Sequence, residues 1–416
     1  MPSSLAPPQL FRSFFQGGFE SATHINRHGH RLDLIAATQH DRHVVSDYAM
    51  LRAMELRTAR DALRWPSIDR GDHYDFSSFA PMAEAAQREG VQVIWDLCHF
   101  GWPDGLDVFS QEFVDRFAHF SGAAATFIAE MDDNVPFYVP INEISFLSWA
   151  AGEEGYIHPY AKGRGGELKQ QLVRASIAGI DAVRAVDPRA RILHVDPVIR
   201  VIAPRGRPDL APAAEAYRLS QYEAWDMLAG MTHPELGGKP GYLDIVGINY
   251  YHSNQWELQG ERILWDEPPP DERRLPFHRI LADVYARYGR PLLVSETGQF
   301  GVGRAAWMYE LAMEVGIARA KNIPVEGICL YPIIDRPDWE DANFWHHSAL
   351  WDLVPNALGD LERVIEPNML SALRCAQRMG PDGLARELGD LCQGAQTGAG
   401  PASTAATQTS TRPSPE

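Results

Sequence analysis

The sequence is poor in the features that mark disulfide-rich, zinc-binding and membrane-spanning proteins. Its four cysteines are scattered over 416 residues without a CxxC pair, so neither a disulfide framework nor a zinc site is indicated. No run of about 18 apolar residues occurs, and the N-terminus lacks the basic and apolar segments of a signal peptide. These absences predict a cytoplasmic protein that does not associate with membranes.

Positive charge is scarce as well. Lys and Arg together number 38 against 55 Asp and Glu, which gives a formal net charge of −17. Such a surface repels nucleic acids and anionic membranes. A neutral substrate suits this charge better, and the sequence leaves the oligomeric state open.

A GxGxxG motif that opens a helix, as in dinucleotide-binding folds, is also absent. Instead, eight short apolar runs alternate with amphipathic stretches of helical spacing. Continuous apolar runs are typical of parallel strands buried on both faces, and this alternation predicts an α/β protein with a (β/α)8 TIM-barrel fold. The eight predicted strands are Phe14–Phe19, Thr58–Trp65, Val91–Cys98, Phe137–Ile141, Arg191–Val195, Leu243–Tyr250, Pro291–Val294 and Val325–Tyr331.

The barrel is predicted to form one domain over residues 11–392. Residues 1–10 are predicted to be a flexible N-terminus. Residues 393–416 are small, polar and rich in proline, and such a segment buries too little apolar surface to offset the entropy lost on ordering. This tail is therefore predicted to be disordered.

Active-site residues of such barrels gather at the C-terminal ends of the strands. Glu143 and Glu296 follow predicted strands 4 and 7. Cleavage of a glycosidic bond requires one carboxylic acid and one carboxylate, which this pair would supply. A single glutamate at a strand end is as easily a loop residue in a structural salt bridge. Two such glutamates, together with Asn142, Arg60 and Tyr251, favour a catalytic site.

Five motifs resemble those of family 1 glycoside hydrolases, the β-glucosidase family, over residues 15–353. The segment RDALRWPSI (60–68) is similar to R-F-S-I-x-W-P-R-I, and Asn142-Glu143 match the start of N-E-P. Residues 247–251 match G-x-N-Y-Y, residues 295–298 resemble T-E-N-G, and residues 335–339 resemble D-N-F-E-W. The chain is identified as a divergent member of the clan of barrel glycosidases with catalytic glutamates on strands 4 and 7.

The resemblance implies a retaining β-glycosidase that uses neither a metal nor another cofactor. Glu143 would be the acid/base and Glu296 the nucleophile. Arg60 would keep the nucleophile ionised, Tyr251 would orient it, and Asn142 would bind the sugar 2-hydroxyl. The remaining side chains that the resemblance assigns to substrate binding are His24, His99, Asn249, Asp338 and Trp339.

The sequence departs from the family pattern at several of these positions. His24 stands where the family has Gln, and Asp338 where it has Glu. Phe100 and Tyr331 each replace a Trp, and Ile144 replaces a Pro. The first two changes fall on groups expected to bind the outer sugar hydroxyls, so we expect unchanged chemistry with altered glycone specificity.

Several alternatives remain open at this point. A transglycosidase would use the same covalent intermediate, and a catalytically silent sugar-binding barrel would keep only the pocket. A metal-dependent hydrolase is disfavoured because no ligand set is evident; the histidine-rich residues 24–30 are interpreted as a loop. The end of predicted strand 5, His194–Pro197, is interpreted either as part of the site or as a structural network.

Overall fold

The computed structural model of the protein describes residues 10–266 and 268–380. The predicted flexible N-terminus, apart from residue 10, and the predicted disordered tail lie outside the described residues. The last residues of the predicted 11–392 domain lie outside them as well.

Eight parallel strands close into a barrel, so the prediction of a (β/α)8 fold is confirmed. Each strand pairs with the next one along the chain, and strand 8 pairs with strand 1. Strands 1 to 8 are Phe15–Gly18, Thr58–Ala62, Gln92–Cys98, Phe137–Ile141, Arg191–Pro197, Ile245–Asn249, Leu292–Thr297 and Val325–Leu330.

Helices follow the strands and form the outer layer. The longer ones are His40–Ala53, Ala80–Glu89, Gln111–Met131, Gly165–Val186, Ala211–Leu219, Glu223–Leu228, Phe277–Tyr288 and Arg304–Ala320, and residues 367–380 are helical as well. Short helical segments are Leu34–Ala37, Trp65–Ile68, Phe76–Ser78, Ile144–Leu147, Ser148–Glu153, Pro208–Leu210, Ser220–Tyr222, Pro234–Leu236 and Gly301–Gly303. No helix among the described residues has the length and apolar character that a membrane crossing requires.

In the described part of the chain, two small sheets lie outside the barrel. Arg200–Ile202 pairs with Gln255–Glu257 in parallel. Trp351–Pro355 pairs with Leu361–Ile365 in an antiparallel ladder after strand 8.

The barrel interior is apolar at the N-terminal ends of the strands and polar at the other end. Phe11 lies against Phe137, with ring centroids 5.2 Å apart, and closes the bottom. The buried side chains of this interior cluster are Phe11, Ile94, Phe137, Val139, Leu193, Val195, Ile245 and Leu293. Apolar side chains thus fill most of the lower barrel, and active-site residues of such barrels lie at the C-terminal end.

Three predicted strand ends need correction. Strand 7 ends at Thr297 rather than Val294 and therefore includes Glu296. Strand 2 ends at Ala62 rather than Trp65, because Trp65 opens the short helix Trp65–Ile68, with Pro66 in its first turn. Strand 5 continues past Val195 to Pro197, since residues 193–197 pair with strand 6 along their whole length.

Candidate active site

The guanidinium of Arg60 is the centre of the polar network inside the barrel. Its side chain is 1% exposed. It donates to Glu296 Oε1 at 2.5 Å and to Asn142 Oδ1 at 2.6 Å, and Nε and Nη2 donate to Asp96 at 3.0 and 2.6 Å. Burial disfavours the charged guanidinium, but Asp96 and Glu296 outweigh burial and hold the pKa of Arg60 well above its usual value.

Glu296 reaches this network through an irregularity in strand 7. Leu293 belongs to the interior cluster, so strict alternation would point Ser295 inward and Glu296 outward. The pairing of strands 6 and 7 shifts register between Ile248 and Asn249, and such shifts re-aim side chains. Glu296 consequently turns into the barrel, where it is buried.

Tyr251 holds the second oxygen of that carboxylate. Its hydroxyl donates to Glu296 Oε2 at 2.8 Å. Burial and the charge of Glu296 raise the pKa of Tyr251 well above its usual value, so the phenol stays protonated and remains a donor. Both oxygens of Glu296 thus have fixed donors, one from strand 2 and one following strand 6.

Glu143 lies at the end of strand 4 in a different environment. Its backbone adopts the left-handed conformation, with φ 47°, and its side chain is only partly buried. Asn249 Nδ2 donates to Glu143 Oε1 at 2.7 Å, and Ser295 Oγ supports Asn249 by donating to Oδ1 at 2.8 Å. Burial of the carboxyl group, and then the charge of Glu296, raise the pKa of Glu143 well above its usual value.

His99 joins the same network through Asp96, a residue that was not predicted from the sequence. His99 Nδ1 lies 2.9 Å from Asp96 Oδ2, so Nδ1 carries the hydrogen and donates it. Asn142 Nδ2 and the Tyr331 hydroxyl approach His99 Nε2 at 3.2 and 3.3 Å. Burial alone would raise the pKa of Asp96, but Arg60 and His99 lower it. The sequence feature that could have identified Asp96 is its position as an aspartate inside the apolar run of strand 3.

His24 is placed beside this network by the segment after strand 1. Thr23 N donates to His99 O at 3.1 Å, and Gly101 permits this approach because a Cβ there would lie 2.3 Å from Thr23 O. His24 is 1% exposed, and its ring meets Trp339 edge-on at 4.6 Å between centroids. The structure therefore brings together these two predicted substrate-binding residues.

Neither ring nitrogen of His24 has a hydrogen-bond partner, and the buried indole nitrogen of Trp339 also lacks one. Burial, and then the nearby His99, lower the pKa of His24 to about 3, so the imidazole is neutral. A neutral imidazole has one donor and one acceptor. Buried polar atoms without partners are costly, and a bound ligand with hydroxyl groups would satisfy them.

Asp338 has its carboxylate turned into its own loop. Oδ1 accepts from the backbone amides of Glu340 and Asp341 at 2.8 and 3.2 Å. Oδ2 lies 2.9 Å from His346 Nε2. The hydrogen-bond partners of the Asp338 carboxylate thus lie within its own loop, and none of them is another predicted substrate-binding side chain.

One group of potential metal ligands occurs among residues 10–266 and 268–380, namely Asp335, His347 and Asp352. His347 Nδ1 lies 3.1 Å from Asp335 Oδ2. Arg304 donates to both oxygens of Asp352, at 2.7 and 3.0 Å, and so already supplies a positive charge there. Asp352 thus has a cationic partner within the protein, and Asp335 contacts the imidazole of His347.

The architecture has clear counterparts among solved structures. A β-glucosidase from Thermotoga maritima in complex with glucoimidazole superposes with a TM-score of 0.72 at 12% identity, covering 89% of this chain and 99% of that one. A family 1 β-glucosidase from the same organism gives 0.70 at 14% identity, covering 89% and 98%. The chain shares its fold with family 1 β-glucosidases.

A further structure with this fold is the AHE enzyme from Alicyclobacillus herbarius, with a TM-score of 0.71, 15% identity, and coverage of 90% of this chain and 99% of that one. No protein-family model matches the chain. No curated protein matches it in sequence. The resemblance to family 1 β-glucosidases is thus confirmed at the level of the fold.

Proposed function

We propose that the protein is a retaining β-glycosidase that hydrolyses small-molecule or oligosaccharide β-glycosides through a covalent glycosyl-enzyme. The observation that carries this proposal is the difference between two carboxyl groups at the same end of the barrel. Glu143 has its pKa raised, whereas Glu296 receives a hydrogen bond on each oxygen from Arg60 and Tyr251. One group suits a proton donor and the other an ionised nucleophile.

In the proposed reaction, protonated Glu143 donates its proton to the glycosidic oxygen while Glu296 attacks the anomeric carbon. The C–O bond to the leaving group breaks as the Glu296 ester forms. Ionised Glu143 then takes a proton from water, the water oxygen replaces Glu296 at the anomeric carbon, and the sugar leaves with its original configuration. Asn142, fixed by Arg60 at 2.6 Å, is our candidate for binding the 2-hydroxyl in the transition state.

We further propose that His24 and Trp339 bind outer hydroxyls of the sugar. Their unpartnered buried nitrogens support this assignment. Asp338 takes a lesser part, because its carboxylate is already bound within its own loop. The proposal also places the enzyme in the cytoplasm, with which the free buried thiols of Cys98 and Cys329 are compatible.

The test is a panel of aryl β-glycosides, together with a 2-fluoro glycoside that slows breakdown of the glycosyl-enzyme. We expect turnover of at least one glycoside and, by peptide mass spectrometry, a glycosyl ester on Glu296. Glu296→Ala should abolish both. Turnover that persists in Glu296→Ala would overturn the proposal.

A further inference from the structure

Another buried carboxylate, that of Asp196, lies at the end of strand 5 and takes no part in the reaction proposed above. Leu193 and Val195 belong to the interior cluster, so Asp196 faces outward, away from the barrel axis. It is 1% exposed. Because it lies behind the barrel wall, Asp196 can influence a bound sugar only through a neighbouring residue.

The neighbour is the short helix Ile144–Leu147, for which Glu143 is the N-cap. An N-cap side chain usually accepts a hydrogen bond from an amide of the first helical turn. The side chain of Glu143 does not, because its Oε1 accepts from Asn249 instead. The amides of this turn therefore need an acceptor from elsewhere in the fold.

Asp196 supplies that acceptor. Its Oδ1 accepts from Ser145 N at 2.9 Å, and its Oδ2 accepts from Ser145 Oγ at 2.8 Å. Strand 5 also holds Glu143 itself, since Glu143 N donates to Val195 O at 3.0 Å. The left-handed turn that aims Glu143 into the barrel is thus fixed by two neighbouring residues of strand 5.

We propose that Asp196 is a positioning residue. By capping the helix that begins after Glu143, it holds the acid/base carboxyl group in position for proton transfer. This inference rests on the proposed glycosidase function. Asp196 does not touch the substrate, and its effect passes through Ser145 and the backbone of Glu143.

Asp196 also acts on Glu143 through its charge, as the groups around the two carboxyl groups indicate. Asp196 is surrounded by Ser145, the Phe146 amide and the more distant Lys169, and burial raises the pKa of Asp196 to about 7. Glu143 is influenced by Glu296, Asn249, Asp196 and Arg60. When ionised, Asp196 adds to the charge of Glu296 in raising the pKa of Glu143. Removing the charge of Asp196 should therefore lower the pKa of Glu143, so that Glu143 ionises at a lower pH.

The first experiment compares Asp196→Asn and Asp196→Ala with the wild type on two substrates. An alkyl β-glycoside needs a proton on its leaving group, and a dinitrophenyl β-glycoside does not. We expect Asp196→Ala to lower kcat/KM for the alkyl glycoside at least tenfold, part of the roughly 10²–10⁴ that a general acid supplies, with a much smaller loss of kcat/KM for the dinitrophenyl glycoside. In Asp196→Asn, the basic limb of kcat/KM for the alkyl glycoside should move to lower pH.

Asp226→Asn is the matched control, because Asp226 is also buried and is paired with Arg287 at 2.5 Å in the outer helix layer. It should lower thermal stability while preserving both the pH limb and the ratio between the two substrates. Equal losses on both glycosides in Asp196→Ala, or an unmoved basic limb in Asp196→Asn, would overturn the inference.

A second measurement does not depend on turnover. The infrared carbonyl band that disappears in Glu143→Gln reports protonated Glu143, and its titration midpoint should fall in Asp196→Asn. An unmoved midpoint would overturn the role of Asp196 even in an active enzyme. A lowered midpoint in a protein that hydrolyses no glycoside would support the inference on Asp196 and reject the proposed function alone.

Discussion

The effect of replacing Arg60 with Met can be predicted from the structure in the most detail. Methionine keeps much of the volume but removes the cation that lies between Asp96 and Glu296. Both carboxylates would then be buried without it, and breaking one buried ion pair costs about 3–5 kcal/mol. We expect at least that loss in the free energy of unfolding at pH 7, measured by urea denaturation, together with loss of glycosidase activity.

The pH dependence of that loss has a definite sign. In the wild type, Arg60 helps to hold the pKa of Asp96 below its usual value despite burial, so this pair stabilises the protein at neutral pH and less as pH falls through that pKa. In Arg60→Met burial dominates, the pKa of Asp96 rises, and acidification favours the folded variant by neutralising its buried carboxyl groups.

The stability difference between wild type and Arg60→Met should therefore shrink as pH is lowered from 7. Arg207→Met is the control, because Arg207 and its partner Asp209 are 56% and 61% exposed and such surface pairs contribute about 0–1 kcal/mol. A loss below about 1 kcal/mol in Arg60→Met, or a difference that does not change with pH, would contradict this role of Arg60 in the buried network.

Three further predictions concern other residues. Burial opposes the charge of His40, but Asp61 and Asp47 raise the pKa of His40 to about 9; up to about 3 kcal/mol of stability, fully present below pH 6.5, should be lost as pH rises through 9, and urea unfolding of His40→Gln should lack that dependence. Glu143→Ala should reduce kcat/KM for an alkyl glycoside by roughly 10²–10⁴. Azide should restore turnover of an activated aryl glycoside, with a β-glycosyl azide as the product. Equal losses of kcat/KM for the alkyl and the activated aryl glycoside would contradict the acid/base role. His24→Phe should raise KM about 2–10-fold for each sugar hydrogen bond lost, and an unchanged KM would exclude His24 from glycone binding.

The sequence was sufficient to predict the barrel because its strands are buried on both faces. All eight apolar runs coincide with strands, and the errors lie at their ends. Trp65 continues the apolar run of strand 2, yet it opens a helix. Apolar character records burial and does not distinguish a strand end from the buried first turn of the next helix.

The arrangement inside the site could be predicted only in part. Spacing placed Glu143 and Glu296 at strand ends, but the inward turn of Glu296 follows from register shifts of strand 7 against both strand 6 and strand 8. Asp96 escaped notice because a polar residue in a continuous apolar run can face either side of the barrel. Asp338 satisfies its carboxylate locally, through backbone amides that no sequence motif reveals.

The configuration of the first product distinguishes double displacement by Glu296 and Glu143 from a single displacement by water. Proton NMR can follow the anomeric signals of the released sugar during rapid hydrolysis of an aryl β-glycoside, before mutarotation mixes the anomers. We predict that the β-anomer appears first, as retention of configuration requires. First appearance of the α-anomer would mean inversion and would contradict the proposed nucleophilic role of Glu296.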